Sequence, residues 1–170
     1  VPQSIILLAT YFPSTDVNMR NKEGKTALML AVYKGDEKCL IALCESFPNM
    51  DPNAQDQFGR TPLMLALETE NPGPIISQLR KFFPNIDPNA QNKSGWTALI
   101  LAVDKRNSDP IVSELHKLFP GIDPNKQEKF YRDTALMCML KSYNPSVESV
   151  RQFLDTFPNV DVNIQNAKGE

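Results

Sequence analysis

Three landmarks return together along this sequence at a nearly constant spacing, and this repetition constrains the fold more than any other feature. A Phe-Pro pair stands four residues before an Asp, and an Asn follows that Asp by two residues. The Asp residues that open successive units are Asp16, Asp51, Asp87, Asp123 and Asp161. The steps between them are 35, 36, 36 and 38 residues. A period in this range predicts one domain of stacked units, because a unit of this size cannot bury its apolar face alone.

Each unit is expected to contain two helices. A Thr followed by Ala-Leu or Pro-Leu opens the first helix, since a Thr hydroxyl suits an N-cap that accepts from a free backbone N–H. These residues are Thr26, Thr61, Thr97 and Thr134. The second helix ends at the Phe-Pro pair, because proline has no N–H and constrains the residue before it. Gly121 follows this Pro in one unit and Asn follows it in three others, so we expect a left-handed helix cap there.

The segment Thr61-Pro-Leu-Met-Leu-Ala66, with Asp-x-Asn and a Gly-containing turn before it, resembles the ankyrin repeat, whose pattern there is Thr-Pro-Leu-His-x-Ala. The other units carry Thr-Ala-Leu, which is also common in that family. The resemblance implies an all-α, ankyrin-type solenoid of helix-turn-helix repeats with projecting β-turn fingers. It divides a single domain, 1–170, into a partial repeat, four full repeats and the start of a further repeat: 1–15, 16–50, 51–86, 87–122, 123–160 and 161–170.

Two departures from the family pattern carry structural expectations. Met or Ile replaces the family's His in every unit, so we expect apolar packing at that place. The fourth finger has one additional residue, and Arg132 or Asp133 stands where other fingers carry Gly, so its turn must differ. Neither end of the sequence resembles a polar capping repeat, and we therefore expect the chain to be an excerpt of a longer protein.

The sequence gives little support for catalysis, a metal, a cofactor or a membrane span. It has a net charge of −2, no Gly-rich phosphate loop, no metal-ligand spacing and no apolar run long enough to cross a bilayer. The sole histidine, His116, could serve as a base for Cys138 in the next unit, but the sequence favours the ordinary interpretation of a half-exposed helix residue and a small buried thiol. We expect no enzyme, cofactor or metal. Three scattered cysteines suit a reducing, intracellular compartment, the cytoplasm or nucleus, including that of a host cell.

The resemblance implies that a partner protein binds the finger turns and the exposed ends of the first helices, along a concave face. Aromatic and basic residues at positions where the units differ have the composition of binding hot spots. The predicted partner-binding residues are Lys22, Lys25, Tyr33, Phe58, Arg60, Trp96, Lys105, Phe130, Tyr131 and Arg132. Trp96 is the sole Trp and lies on the third of four fingers, so it is the predicted centre of the interface.

The aromatic rings and the basic residues of this predicted surface each have a competing interpretation. The aromatic rings are also suited to covering the stacking surface of the next finger. Eleven of the 18 basic residues fall on fingers or first-helix ends, which favours a partner with an acidic surface. A solvated face of mixed charge is the ordinary alternative.

The function that these patterns favour is a non-catalytic, monomeric scaffold for protein–protein interaction, without a small-molecule substrate. The alternative is the recognition arm of a larger multidomain enzyme or of a secreted bacterial effector that acts on host proteins. The complete reading frame separates the two, because only the second requires a catalytic domain. A third interpretation has the basic fingers bind nucleic acid or phosphoinositide, with strong salt dependence and loss of binding when Lys22, Lys25 and Lys129 are neutralised.

Overall fold

The computed structural model describes residues 16–105, 109–142 and 146–170. The partial repeat expected at 1–15 lies outside these residues. The described chain consists of helices and turns without strands, so the expected all-α class is confirmed. It falls into two compact units, one ending at Asp87 and the other beginning at Pro88.

The first unit contains two helix pairs. Helices α1 (Ala27–Lys34) and α2 (Glu37–Ser46) form the first pair, and α3 (Pro62–Leu67) and α4 (Pro72–Phe82) form the second. Within each pair the two helices pack on each other. Between the pairs, α1 packs on α3 and α2 packs on α4, so the first helices form one layer and the second helices another.

The second unit repeats this arrangement. Its helices are α5 (Ala98–Val103), α6 (Asp109–Leu118), α7 (Ala135–Lys141) and α8 (Val147–Thr156). Helix α5 packs on α6 and α7, while α8 packs on α6 and α7. The first helices are short and almost entirely apolar, and the second helices are longer and apolar on one face only. The core of each unit therefore lies between the two helix layers.

The expected Thr N-caps are confirmed in all four repeats. Each Thr has extended backbone and accepts at its side-chain oxygen from the N–H three residues ahead. The oxygen–nitrogen distances are 3.4 Å for Thr26, Thr61 and Thr134 and 3.2 Å for Thr97. Each cap satisfies one of the backbone donors that a helix leaves free at its start, which stabilises a helix by about 1 kcal/mol.

The second helices end immediately before the Phe of each described Phe-Pro pair, but the expected left-handed cap after this pair is wrong. Among the described residues, a positive φ occurs only at Arg132 and at five glycines elsewhere, which excludes Gly121. The Ile86 N–H bonds instead to the Phe83 carbonyl at 3.3 Å, so Pro84 is the second residue of a turn and Asn the third. Proline is favoured at that second place, and a type I turn needs no positive φ.

Apolar packing replaces the family's His as expected. Met29, Met64 and Ile100 are at most 1% exposed, while Met137 in the last full repeat is half-buried. Burying such a side chain contributes about 1.5–3 kcal/mol. In the first three full repeats this position thus belongs to the core.

Candidate functional site

In four of the five Asp-x-Asn triplets, the Asn bonds both to the turn that ends its own repeat and to the Asp that opens the next repeat. Asn53 donates from Nδ2 to the Asn85 carbonyl at 3.0 Å and accepts at Oδ1 from the Asp87 N–H at 2.8 Å. The same pair of bonds, at 2.7–3.3 Å, is made by Asn18, Asn89 and Asn125. Asp51 in turn accepts from the Asn53 N–H at 2.9 Å. These repeated polar residues therefore hold the fold, which leaves other positions free for recognition.

One side-chain acceptor organises each finger loop, a role that was not predicted from the sequence. In the second finger, Asp56 Oδ1 accepts from the N–H groups of Phe58 and Arg60, both at 2.9 Å. Asn makes the equivalent pair of bonds in three other fingers, as Asn21, Asn92 and Asn166. The signal was present in the sequence, because Asn or Asp stands five residues before the capping Thr in each of the first three repeats.

Neighbouring fingers within a unit join through their backbones. The Gln57 N–H bonds to the Glu23 carbonyl at 3.0 Å, and the Lys129 N–H bonds to the Ser94 carbonyl at 3.0 Å. Gly95 lies at this contact with a φ of 81°, and a Cβ placed on it would stand 2.5 Å from the Lys129 nitrogen. Glycine is therefore required there both by its backbone conformation and by the closeness of the next finger.

The fourth finger has a different turn, as expected. The Glu128 N–H bonds to the Asp133 carbonyl at 3.0 Å, which closes a loop one residue longer than the loop that Asp56 and Arg60 close. Arg132 takes the left-handed conformation that glycine adopts in the other fingers, with a φ of 57°. A non-glycine residue in this conformation costs about 1 kcal/mol.

In the second finger, two predicted residues form one stacked cluster. Phe58 is 55% exposed, and the Arg60 guanidinium lies 5.0 Å from its ring centroid. Arg60 also forms ion pairs of 2.8 Å with Asp56 and 3.0 Å with Glu68. Burial pushes the pKa of Asp56 upward, but hydrogen bonds from the Arg60 and Phe58 N–H groups and the Arg60 charge outweigh burial and hold this pKa below its usual value. Phe58 is therefore presented to solvent by a charged network that fixes its finger.

Tyr33 at the end of α1 forms a second cluster in the same unit. Lys25 Nζ lies 4.6 Å from the Tyr33 ring centroid and pairs with Glu23 at 2.8 Å. Tyr33 and Glu68 both line an open depression of about 420 Å³ between the ends of the first helices of the two repeats. Because Arg60 binds Glu68, this depression joins the Tyr33 and Phe58 clusters into one surface.

In the second unit, the predicted aromatic residues differ in exposure. Phe130 and Tyr131 are 66% and 63% exposed on the fourth finger. Trp96 is half-buried, and its backbone N–H bonds to Asn92 Oδ1 at 3.0 Å. Lys105 is exposed just beyond the end of α5. The rings most accessible to a partner are therefore those of the fourth finger and not the predicted centre.

The predicted basic surface is partly neutralised by neighbouring carboxylates. Lys25 and Arg60 are paired as described above, and Lys141 pairs with Asp133 at 2.7 Å and with Glu170 at 3.5 Å. On the described fingers, Lys22, Lys93, Lys129 and Arg132 are exposed and form no ion pair with the described residues.

The candidate pair of His116 and Cys138 lacks an activated thiol. Burial, with a smaller contribution from the Asp133 charge, raises the pKa of Cys138 to about 12, so the thiol stays protonated at neutral pH. His116 packs edge-on against Phe157 with ring centroids 4.9 Å apart. Nucleophilic catalysis requires a thiolate or a base that generates one, and this arrangement favours a structural role for both residues.

The described residues contain no group of three or more His, Cys, Asp or Glu side chains that could hold a metal ion. Within the same part of the chain, no helix has the length and apolar character needed to cross a membrane.

Comparison with known proteins identifies the family. The family profile described as "Ankyrin repeats (3 copies)" matches residues 3–79 and 43–128. Among solved structures, the ankyrin repeat domain of Bcl-3, described as a unique member of the IkappaB protein family, aligns with a TM-score of 0.79 and 26% sequence identity. That alignment covers 100% of this chain and 70% of the other. No curated protein matches the sequence. Because the profile spans well over half of the sequence, the chain belongs to the ankyrin-repeat family.

Proposed function

We propose that this chain is a protein-binding scaffold that contacts its partner through the exposed aromatic and cationic residues of its fingers and first-helix ends. One observation carries the proposal: Tyr33, Phe58, Phe130 and Tyr131 are each more than half exposed, although other residues form the core and hold the finger loops. Exposed rings beside Lys or Arg are typical of interface hot spots. The ankyrin-repeat fold, a scaffold for protein–protein interaction, supports this assignment.

The geometry of the fingers lowers the entropic cost of binding. Each loop is held by a side-chain acceptor and by backbone bonds to the neighbouring finger of its unit. The rings are thus presented by loops that are already ordered, and less conformational freedom is lost when a partner docks. Truncating a ring at the centre of such an interface costs about 2–4 kcal/mol of binding, whereas rim charges act mainly on the association rate.

Trp96 enters this proposal as a flanking residue. Its half-buried position leaves less of the ring for a partner than the rings of Phe130 and Tyr131 offer. We propose that Trp96→Ala weakens binding less than the truncation of either fourth-finger ring. An equal or larger effect of Trp96→Ala would restore it as the centre.

We further propose that the scaffold acts as an intracellular monomer. The three cysteines are free thiols, of which Cys44 is buried and the other two are partly buried. Unpaired thiols favour a reducing compartment, because oxidising compartments convert them to disulfides.

The test is affinity capture with two matched variants, each with four substitutions. The site variant replaces Tyr33, Phe58, Phe130 and Tyr131 by Ala. The control variant carries four Ala substitutions at exposed second-helix positions: Lys38, Lys117, Val147 and Leu154. Quantitative mass spectrometry should show proteins that wild type and the control retain and the site variant loses, with all three equally folded by circular dichroism. Retention of the same proteins by the site variant would refute the proposal.

A further inference from the structure

We propose that the fourth finger, residues 128–133, determines partner specificity by docking on an acidic, apolar-rich segment of a protein. This inference rests on the function proposed above and names the recognition element within it. The second and third fingers close their loops with a bond from Asp56 to Arg60 and from Asn92 to Trp96. The fourth closes one residue later, although the shorter loop satisfies the fold elsewhere. The additional residue therefore serves something other than stacking.

Glu128 accommodates the additional residue and fixes the finger. Its carboxylate accepts from the N–H groups of Phe130 at 2.8 Å and Asp133 at 3.3 Å, and also from that of Tyr131. Glu is one methylene longer than the Asn or Asp of the other fingers, and it is used where the loop is longer. Two neighbouring exposed rings are consequently held on a loop with three backbone donors bound to one buried carboxylate.

The Tyr131 carbonyl anchors the tip of the same finger to the following one. It accepts from the Ala167 N–H at 2.7 Å. Arg132 lies next to it in the left-handed conformation, and residues held in such conformations by their surroundings cluster at ligand contacts. The finger is thus ordered on both sides of the exposed rings, as preorganised recognition requires.

In this finger the acidic residues are buried and the basic residues are exposed. Both carboxylates are buried: Glu128 binds backbone donors, and Asp133 binds Lys141 and the Asn166 amide. The two cations, Lys129 and Arg132, are exposed. Arg132 Nη2 donates to the neutral Gln127 Oε1 at 3.2 Å, so its charge stays available to a partner.

The second finger offers a contrast. There Arg60 lies beside the exposed Phe58 ring, and Asp56 and Glu68 neutralise its charge. A partner that meets the fourth finger encounters two rings and two uncompensated cations, which carboxylates and apolar side chains complement. A folded or extended protein segment supplies both chemistries, whereas this chain's net charge of −2 disfavours a polyanion that spreads beyond the finger.

The experiment uses the full chain and four labelled probes in fluorescence anisotropy. The first is a short peptide that alternates Glu-Glu with Leu or Phe, and the second replaces every Glu by Gln. A thymidine oligonucleotide and phosphatidylserine vesicles represent the nucleic-acid and lipid alternatives. We expect the Glu peptide to bind at least about tenfold more tightly than the Gln peptide and than either alternative.

Two fourth-finger variants locate the binding. Phe130→Ala with Tyr131→Ala removes the rings, and Lys129→Gln with Arg132→Gly removes the charges while suiting the backbone at 132. Each should weaken Glu-peptide binding about tenfold or more. The matched controls, Val147→Ala with Leu154→Ala and Lys38→Gln with Lys117→Gln, should leave it unchanged.

Three results would overturn the inference: a Glu-peptide Kd above about 1 mM, equal binding by the fourth-finger variants, or tighter binding of the oligonucleotide or vesicles through the same residues. The last result would assign the finger to nucleic acid or lipid. The capture assay separates this failure from that of the proposed function. If the four-residue site variant loses its proteins and the fourth-finger variants keep them, the scaffold proposal stands and only the assignment to this finger falls.

Discussion

Removing one inter-repeat Asn should destabilise the chain only where its amide reaches a following repeat. Asn53 bonds to the Asn85 carbonyl at 3.0 Å and to the Asp87 N–H at 2.8 Å. Asn163 is the equivalent residue in the last triplet. Its only hydrogen bond with the described residues runs from its backbone N–H to the Asp161 carboxylate. Substituting Ala at both positions therefore compares the same residue in the same turn with and without these two bonds, of which the bond to Asp87 crosses into the next repeat.

The expected magnitude follows from the two bonds. Each neutral hydrogen bond contributes about 0.5–1.5 kcal/mol net. Because Asn53 is half-buried and its freed partners regain some hydration, we expect Asn53→Ala to lower the free energy of unfolding by about 1–2 kcal/mol in total. Asn163→Ala should change it by less than about 0.5 kcal/mol, as for an ordinary surface substitution.

Urea titration followed by far-ultraviolet circular dichroism at 25 °C measures both changes. Asn53→Asp adds a second arm, since it keeps an acceptor for the Asp87 N–H but loses the donor to the Asn85 carbonyl. We expect it to destabilise at least as much as Ala, because its charge faces that carbonyl. Equal losses from Asn53→Ala and Asn163→Ala would show that the Asn acts within its own turn, and the account of the inter-repeat bonds would be wrong.

Three further predictions test the fingers and the thiols. Gly95→Ala should destabilise by at least about 1 kcal/mol more than Gly169→Ala in urea titration, because both have positive φ but only the first has a neighbouring finger within 4 Å; equal losses would contradict the close contact. The pKa of Asp56 is held below its usual value, so its stabilisation is present above the unfolded-state pKa of about 3.9 and is lost as pH falls through the folded-state value. Asp56→Asn keeps the loop acceptor but loses the carboxylate charge that pairs with Arg60, so the stability deficit of this variant should shrink from pH 6 towards about pH 2. A deficit that stays constant with pH would exclude the ion pair as its cause. Cys138, with a pKa of about 12, should react with iodoacetamide at about pH 8 far more slowly in the folded than in the urea-unfolded chain, as measured by mass spectrometry. Rapid labelling of the folded chain would show a reactive thiol and would contradict a purely structural role.

The repeat made most of the fold predictable from the sequence. Thr26 and its three equivalents cap first helices as expected, because an N-cap depends on residues only three positions apart. The ends of the second helices were predictable for the same reason, since Pro acts on its immediate neighbours. The left-handed cap at Gly121 was not, because Asn and Gly permit a positive φ without requiring one, and the turn after Phe-Pro decides the conformation.

The site was less predictable, because exposure and pairing depend on residues far apart in the sequence. The sequence indicated Arg60 as a binding cation, but only the fold brings Glu68 to it and joins both to Phe58. Likewise, nothing local distinguishes the half-buried Trp96 from the exposed Phe130. The role of Asn or Asp at the start of the first three fingers could have been predicted from the sequence, since these residues recur at a fixed distance before the capping Thr.

The most direct test of the central claim is site-specific photo-crosslinking in cells that express the chain. A benzophenone amino acid replaces Phe130 on the fourth finger, Phe58 on the second finger or, as the control, Lys117 on a second helix; all three positions are exposed. We predict that the two finger positions form a covalent adduct with the same partner protein and that Lys117 forms none. An adduct at Lys117 without one at Phe130 or Phe58 would show that the partner binds the second helices, and would contradict binding through the fingers.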